Sequence, residues 1–477
     1  VGFQLKRIET GEQFIVFGGG VAGLVSAYEL LKRGCQVTVI ERDAELGGLA
    51  RTIEKDGFKF DIGGHRFHSN NPEVVRWLEN LLGPDLLTVP RISHIFMNNR
   101  FTEYPIQFPG AFSIFSPLRA AQMFASYVVS RFTQRNRADI SFEDWVVKRF
   151  GQALYEVFFE PYTEKVWGIP CNQLAASWAS KRIGIPSMGR AIKRAIFKPK
   201  EDNLATAISQ FYYPKDGFGM ICQALEREIV KLGGTIYKGA KIVSTTPKGA
   251  RKFSVTIDLA DSSRKFLEAS HVVSTIPLNA LLGTIPQEYG SLEVLENFNL
   301  EYRDMICVFV ALNKKQVSED SWTYFPLKNL TFGRTHEPKN WSPNMVPSDN
   351  HTSLAVEIFS TRGEPIWQLS DDEIVSKITE ELSDVGWINR QDLIKGWVLR
   401  VPYAYPVYRV GYETKLIAVK DYLSQWPNLH LVGRTGSFQY MNSDGVIEDV
   451  FGLLDRLYAE EQGSDVHALS ESVGRWI

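Results

Sequence analysis

Cysteine is scarce in this chain: Cys35, Cys171, Cys222 and Cys307 are the only four in 477 residues, and no two form a C-x-x-C pair. That spacing argues against a zinc knuckle and against a disulfide framework, so no metal site is expected and a reducing, cytoplasmic setting is. Long apolar runs are missing as well. No segment approaches the length of a membrane span, and the opening "VGFQLKRIETGEQ" carries charges where a secretory signal would be apolar. Nor does one sign of charge dominate. With 53 Lys+Arg against 55 Asp+Glu and a net charge of -2, no basic excess exists to meet a nucleic-acid backbone, and nucleic acid is not expected as a partner.

What is present is the composition of a globular protein, 44% hydrophobic and 23% charged. A chain of 477 residues exceeds one ordinary core and predicts two or three packed domains. One stretch departs from this pattern. "YPIQFPGAFSIFSPLRAAQMFASYVVSRF" (104–132) is apolar and aromatic and runs into the basic "RFTQRNR". Its prolines exclude a simple spanning helix; the expectation is a buried loop and helix, with a monotopic membrane or lipid-substrate contact as the alternative.

The N-terminal segment "QFIVFGGGVAGLVSAYELLKRGCQVTVIERDAELGG" reads as a strand (Phe14–Phe17), a glycine turn, a helix (Ala22–Lys32) and a second strand (Gln36–Ile40), a βαβ unit. Gly18, Gly20 and Gly23 satisfy G-x-G-x-x-G. In that order they serve a tight turn, close approach of backbone to a pyrophosphate, and close helix–strand packing. Glu41 ends the second strand, where a carboxylate accepts ribose hydroxyls.

The continuation "ERDAELGGLARTIEKDGFKFDIGGHRFHS" resembles the FAD-binding pattern of glutathione-reductase-like flavoproteins, in particular the amine-oxidase and protoporphyrinogen-oxidase branch. The resemblance implies FAD as cofactor, with Gly47 and Gly48 admitting it closely and Arg51 neutralising a phosphate. It brings Val21, Ala22, Arg42, Leu49, Gly64 and His65 into the cofactor contacts, together with a backbone group near Val243 for the adenine. A distant segment, "NLHLVGRTGSFQYMNSDGVIEDVFGLLDRL" (428–457), would close over the flavin through Gly433, Arg434, Asp444, Gly445 and Val446.

Three islands are similar to UDP-galactopyranose mutases: "GGHRFHS" (63–69), "FFEPYTEKVWG" (158–168) and "GRTGSFQYMNSDGVI" (433–447). That resemblance implies a flavoenzyme using reduced flavin as nucleophile to interconvert pyranose and furanose forms of a nucleotide-linked sugar, with NAD(P)H as external reductant. Phe158 and Tyr162, four apart on one helical face, would stack on uracil, and Trp167 would touch the ribose or diphosphate. Arg303 of "LEYRDM", Tyr405 and Tyr440 would hold the diphosphate; His65, Arg303 and Arg434 are the catalytic candidates.

The sequence departs from that family on the substrate side. Asn442 stands where the family's "DMD" has its first aspartate, yet remains a candidate substrate contact; Val166 replaces a glutamine; and "RIGIPSMGR" leaves the diphosphate arginine open between Arg182 and Arg190. "GRTHEPKNWSPNMVPSDNHTS" (333–353) reads as a Pro/Asn-rich surface loop or lid. The competing reading is an FAD-dependent oxidase or dehydrogenase of the protoporphyrinogen-oxidase or amine-oxidase kind. The expected fold is α/β: a discontinuous Rossmann-like FAD domain (1–71, 211–290, 426–465), a helical insertion with substrate contacts (72–210), a mixed-sheet substrate domain (291–425) and a tail (466–477).

Overall fold

A parallel sheet of five strands carries the cofactor half, in the order Leu429–Leu431, His271–Ser274, Gln13–Phe17, Gln36–Ile40, Thr235–Tyr237. The computed structural model describes residues 9–104, 115–182, 209–249 and 252–458; Arg190, the Arg182 side chain and the 466–477 tail lie outside them. Gln13–Phe17 is apolar on both faces because both are covered. Phe14 and Val16 join a core with the Val21–Lys32, Met220–Lys231 and Ser443–Tyr458 helices, while Ile15 and Phe17 join another with Phe253, Val255 and Ile257. The latter three belong to an antiparallel meander, Lys241–Pro247, Phe253–Asp258 and Arg264–Ala269. Gln13–Phe17 has neighbours from opposite directions of the chain, so the sheet's switch point lies at its carboxyl end, where the glycine turn begins.

The second half is a mixed sheet of seven strands, ordered Leu393–Pro406, Tyr302–Leu312, Thr352–Ser360, Arg334–His336, Trp322–Tyr324, Ser93–Met97, Arg100–Glu103. Alternation along Tyr302–Leu312 sends Ile306, Val308 and Val310 into a core with Ile374 and Ile378 of the Asp371–Asp384 helix. The opposite face carries Met305, Cys307 and Phe309 against Phe58 and Phe60, next to the cofactor half.

Two expectations are corrected here. The 333–353 segment is not a surface loop: Arg334–His336 is an internal strand of the sheet, and Trp341 and Met345 are buried. Its prolines and asparagines mask a three-residue strand too short to show a period. The 72–210 segment is not purely helical either, since Leu86–Pro90 pairs with Gln210–Pro214 and two further strands extend the substrate sheet.

Candidate active site

The glycine turn has the geometry of a pyrophosphate cradle. Gly18 has φ +97°, and a Cβ there would lie 2.5 Å from Thr275 Oγ1; a Cβ at Gly23 would lie 1.9 Å from the Gly18 carbonyl. At Gly20, by contrast, a Cβ would meet nothing nearer than 3.9 Å, so the room beside it faces the start of the Val21–Lys32 helix. No side chain caps that helix and no acid occupies its first turn, which leaves the N–H groups around Val21, Ala22 and Gly23 as anion donors. Glu41 is held at the end of its strand by N–H groups of Gly19 at 2.6 Å and Asp43 at 2.8 Å.

Around this turn the remaining cofactor candidates separate. Gly47 and Gly48 form a left-handed corner, with Gly20 bridged to Gly47. Arg51 bonds the Gly48 carbonyl at 3.2 Å and pairs with Asp43 at 3.3 Å, while Leu49 is partly buried beside the Phe58–Phe60 core. The Arg42 side chain is 67% exposed and pairs with Asp43. Val243 is the inserted residue of a bulge, because Ile242 pairs with Ile257 and Ser244 with Thr256.

The C-terminal segment comes back to the same end of the sheet. Gly433, at φ +80°, packs against Ala22, with 2.6 Å between Ala22 Cβ and a Cβ built at Gly433, and its N–H donates to Asp449 at 2.8 Å. Asn442 is exposed and precedes the Ser443–Tyr458 helix, accepting from the Val446 N–H at 3.0 Å. Asp444 and Gly445 make that helix's first turn; burial raises the Asp444 carboxyl above its usual range, opposed by nearby His68 and Arg66.

Between the two halves lies the Gly63–His68 loop. Gly64 N–H donates to Glu357 at 3.0 Å, and Glu357 makes a two-point pair with Arg334. His65 Nδ1 is buried without a hydrogen-bond partner among the described residues. Burial, then the positive charges of Arg434 and Arg334, push the His65 pKa down to about 4, so the ring is neutral at physiological pH.

Arg434 ties the loop to the tyrosines. Its guanidinium lies 5.3 Å from the Tyr405 ring centre and 4.5 Å from that of Tyr440, and these two rings stack at 5.7 Å. Nε and Nη1 reach the carbonyls of Met441 and Ala404, and among the described residues no carboxylate pairs with Arg434. Tyr162 sits edge-on to Tyr324 at 5.6 Å, and burial raises its hydroxyl far above the ordinary range. Phe158 lies in a wide π-turn, Tyr155–Phe159, against Phe159 at 5.3 Å. Because the turn is π rather than α, the simple four-residue face expected for Phe158 and Tyr162 does not hold.

Two substrate candidates are corrected. Trp167 is 2% exposed and packs on Trp178, Tyr405 and Tyr408, a core residue rather than a ribose contact. Arg303 is buried with its donors engaged by Thr361, Glu364 and the carbonyls of Phe359 and Val166. It clamps the end of the Glu160–Trp167 helix to the sheet, against Gly168 at φ +67°, and is not an open cation for a diphosphate.

Arg334, Glu357, Tyr324 and Arg66 also line this region and were not expected from the sequence. Cross-strand register explains the first three, since Tyr324 pairs with Arg334 and Arg334 with Glu357, one row across the sheet. Arg66 was visible inside "GGHRFHS"; its Nη1 is buried without a partner, and its guanidinium lies 5.1 Å from the Trp322 ring centre.

The profile of the flavin containing amine oxidoreductase family matches residues 21–448. Coproporphyrinogen III oxidase of Bacillus subtilis (strain 168) is 22% identical over 450 residues, 88% of this chain and 92% of that one. A probable UDP-galactopyranose mutase of Klebsiella pneumoniae is 25% identical over 171 residues, 35% of this chain and 44% of that protein. Among solved structures, reduced UDP-galactopyranose mutase superposes with TM-score 0.80 at 19% identity, covering 94% of each chain. A putative protoporphyrinogen oxidase from Exiguobacterium sp. 255-15 gives 0.73 at 16%, covering 95% of this chain and all of the other. The glycine cradle, the returning C-terminal segment and the extent of the family match lead to one conclusion: this chain belongs to the flavin containing amine oxidoreductase family.

Proposed function

We propose that this FAD-dependent enzyme acts on a nucleotide-linked sugar, as a pyranose–furanose mutase. The observation that carries this reading is Arg434: a guanidinium without a carboxylate partner among the described residues, lying over the stacked Tyr405 and Tyr440 rings and placing its positive charge near His65. A diphosphate is the kind of group such a site suits, because guanidinium and phenol donors bond phosphate oxygens.

The cofactor would be held by Gly18, Gly20, Gly23, Glu41 and Gly433, and when bound it supplies either a nucleophilic ring nitrogen or a hydride carrier. Neutral His65, whose buried Nδ1 has no hydrogen-bond partner among the described residues, would be available to hydrogen-bond the cofactor. Arg434, with Tyr405 and Tyr440, would take up the negative charge of a departing diphosphate, and Arg334 would orient it while its own charge is balanced by Glu357. Tyr162 and Tyr324 offer aromatic edges and faces for a base.

The test is to reduce the protein with dithionite, add UDP-galactose, and chromatograph the sugar nucleotides, with UDP binding followed by fluorescence quenching. Furanose product is expected; no product and no UDP binding by a flavin-loaded protein would overturn the reading. A second reading, an oxidase of a porphyrinogen-like substrate, is supported by the whole-length similarity to a coproporphyrinogen III oxidase. Oxygen consumption on coproporphyrinogen would select it.

A further inference from the structure

The Pro117–Thr133 helix is built inside out. Its inward side is narrow and largely small or polar: Met123 and Ser130 are buried, Ser126 Oγ accepts from the Ala153 N–H at 3.0 Å, and a Cβ at Gly151 would lie 2.7 Å from the Tyr127 backbone. The outward side is apolar over four turns. Leu118, Ala121, Ala125, Val128, Val129 and Phe132 recur at helical spacing and all are exposed, Leu118 by 72% and Phe132 by 81%, with Phe124 beside them. A stripe of this kind along a helix of about 25 Å is an interaction surface rather than scattered surface carbon.

The charges around the stripe say what covers it. From Pro105 to Ala138 the sequence holds Arg119, Arg131, Arg135 and Arg137 and no acidic residue. Arg137 pairs with Asp144. Two copies of this helix laid face to face would bring arginine against arginine with no acid on the stripe to offset them, whereas a negatively charged partner with an apolar interior satisfies both features. No helix among the described residues is long and apolar enough to cross a membrane, so the contact is one that lies on a surface. We propose that this face docks the protein onto an anionic lipid membrane, with Leu118, Phe124, Val129 and Phe132 entering the acyl boundary and the arginines meeting headgroup phosphates and carboxylates.

The experiment is co-sedimentation of the full flavin-loaded chain with phosphatidylcholine vesicles, with and without phosphatidylserine, at low and high salt. Binding is expected only with phosphatidylserine, and it should fall as salt rises. Leu118→Ser with Phe132→Ser should lower the partition coefficient by on the order of tenfold. Arg131→Gln and Arg135→Gln should each lower it by about fivefold. These side chains are exposed, so both sets should keep the flavin spectrum; a set that loses it is replaced by Phe132→Gln alone. Absence of binding to phosphatidylserine vesicles, equal binding to both compositions, or a self-associated protein that Phe132→Ser converts to monomer would each overturn the proposal.

Discussion

Arg334 and Glu357 face one another across neighbouring strands, Nε to Oε1 at 2.8 Å and Nη2 to Oε2 at 2.6 Å, and the Gly64 N–H adds a third bond to the same carboxylate at 3.0 Å. One buried ion pair thereby fixes the loop that carries His65. Glu357→Gln keeps the shape but strands a buried guanidinium without its counter-charge. Equilibrium urea unfolding should show a loss of about 3–5 kcal/mol. A loss under about 1 kcal/mol would mean that water or a neighbour neutralises Arg334.

Arg434 should be separable from the fold. Arg434→Lys keeps a charge but loses the planar group over Tyr405 and Tyr440, and UDP affinity by fluorescence titration should weaken by about tenfold or more with the flavin retained. Unchanged UDP affinity in a flavin-loaded variant would remove Arg434 from the substrate side.

Two buried groups oppose each other in pH-dependent stability. Asp61, bonded by Thr52, Tyr213 and the Phe218 N–H, has its pKa raised by burial to about 6, so the folded state holds a proton that the unfolded chain gives up, and stability falls as pH rises from about 4 to about 6. His65, lowered to about 4, does the reverse: the unfolded chain takes the proton first, and stability falls as pH drops from about 6.5 to about 4. In wild type the two slopes offset. Asp61→Asn should therefore uncover a loss of stability towards acid and His65→Asn a gain, by up to about 3 kcal/mol each, in unfolding curves collected from pH 4 to 7.

Gly23→Ala puts a Cβ where the Gly18 carbonyl stands, at 1.9 Å. The turn must open, and the purified variant should carry little flavin by its absorption spectrum. Full flavin content would show that helix and strand can part without cost to the cradle.

Trp167→Ala should act on stability rather than recognition. Removing a buried indole from between Trp178, Tyr405 and Tyr408 should cost about 3–5 kcal/mol, with UDP affinity per folded molecule little changed. A selective loss of affinity would restore the ribose contact expected from sequence.

The cofactor half was legible because its signals are local. Gly18, Gly20 and Gly23 encode turn, approach and packing within six residues, and the strands at Gln13–Phe17 and Gln36–Ile40 lie within a residue of where apolar runs end. Arg303 and Trp167 misled for the opposite reason. An arginine in "LEYRDM" and a tryptophan after "TEK" look the same in one dimension whether they face a ligand or the core, and only partners distinguish them.

The sequence by itself determined the βαβ nucleotide-binding unit, since glycine spacing and periodic burial are written in neighbouring residues, while the flavin class and the discontinuity of the domain followed from resemblance to known flavoproteins. Tertiary structure alone decided the row Tyr324–Arg334–Glu357, the tyrosine pair beneath Arg434 and the orphaned nitrogen of His65. These depend on strand register and on segments hundreds of residues apart coming together in the fold, and neither leaves a local pattern in the chain.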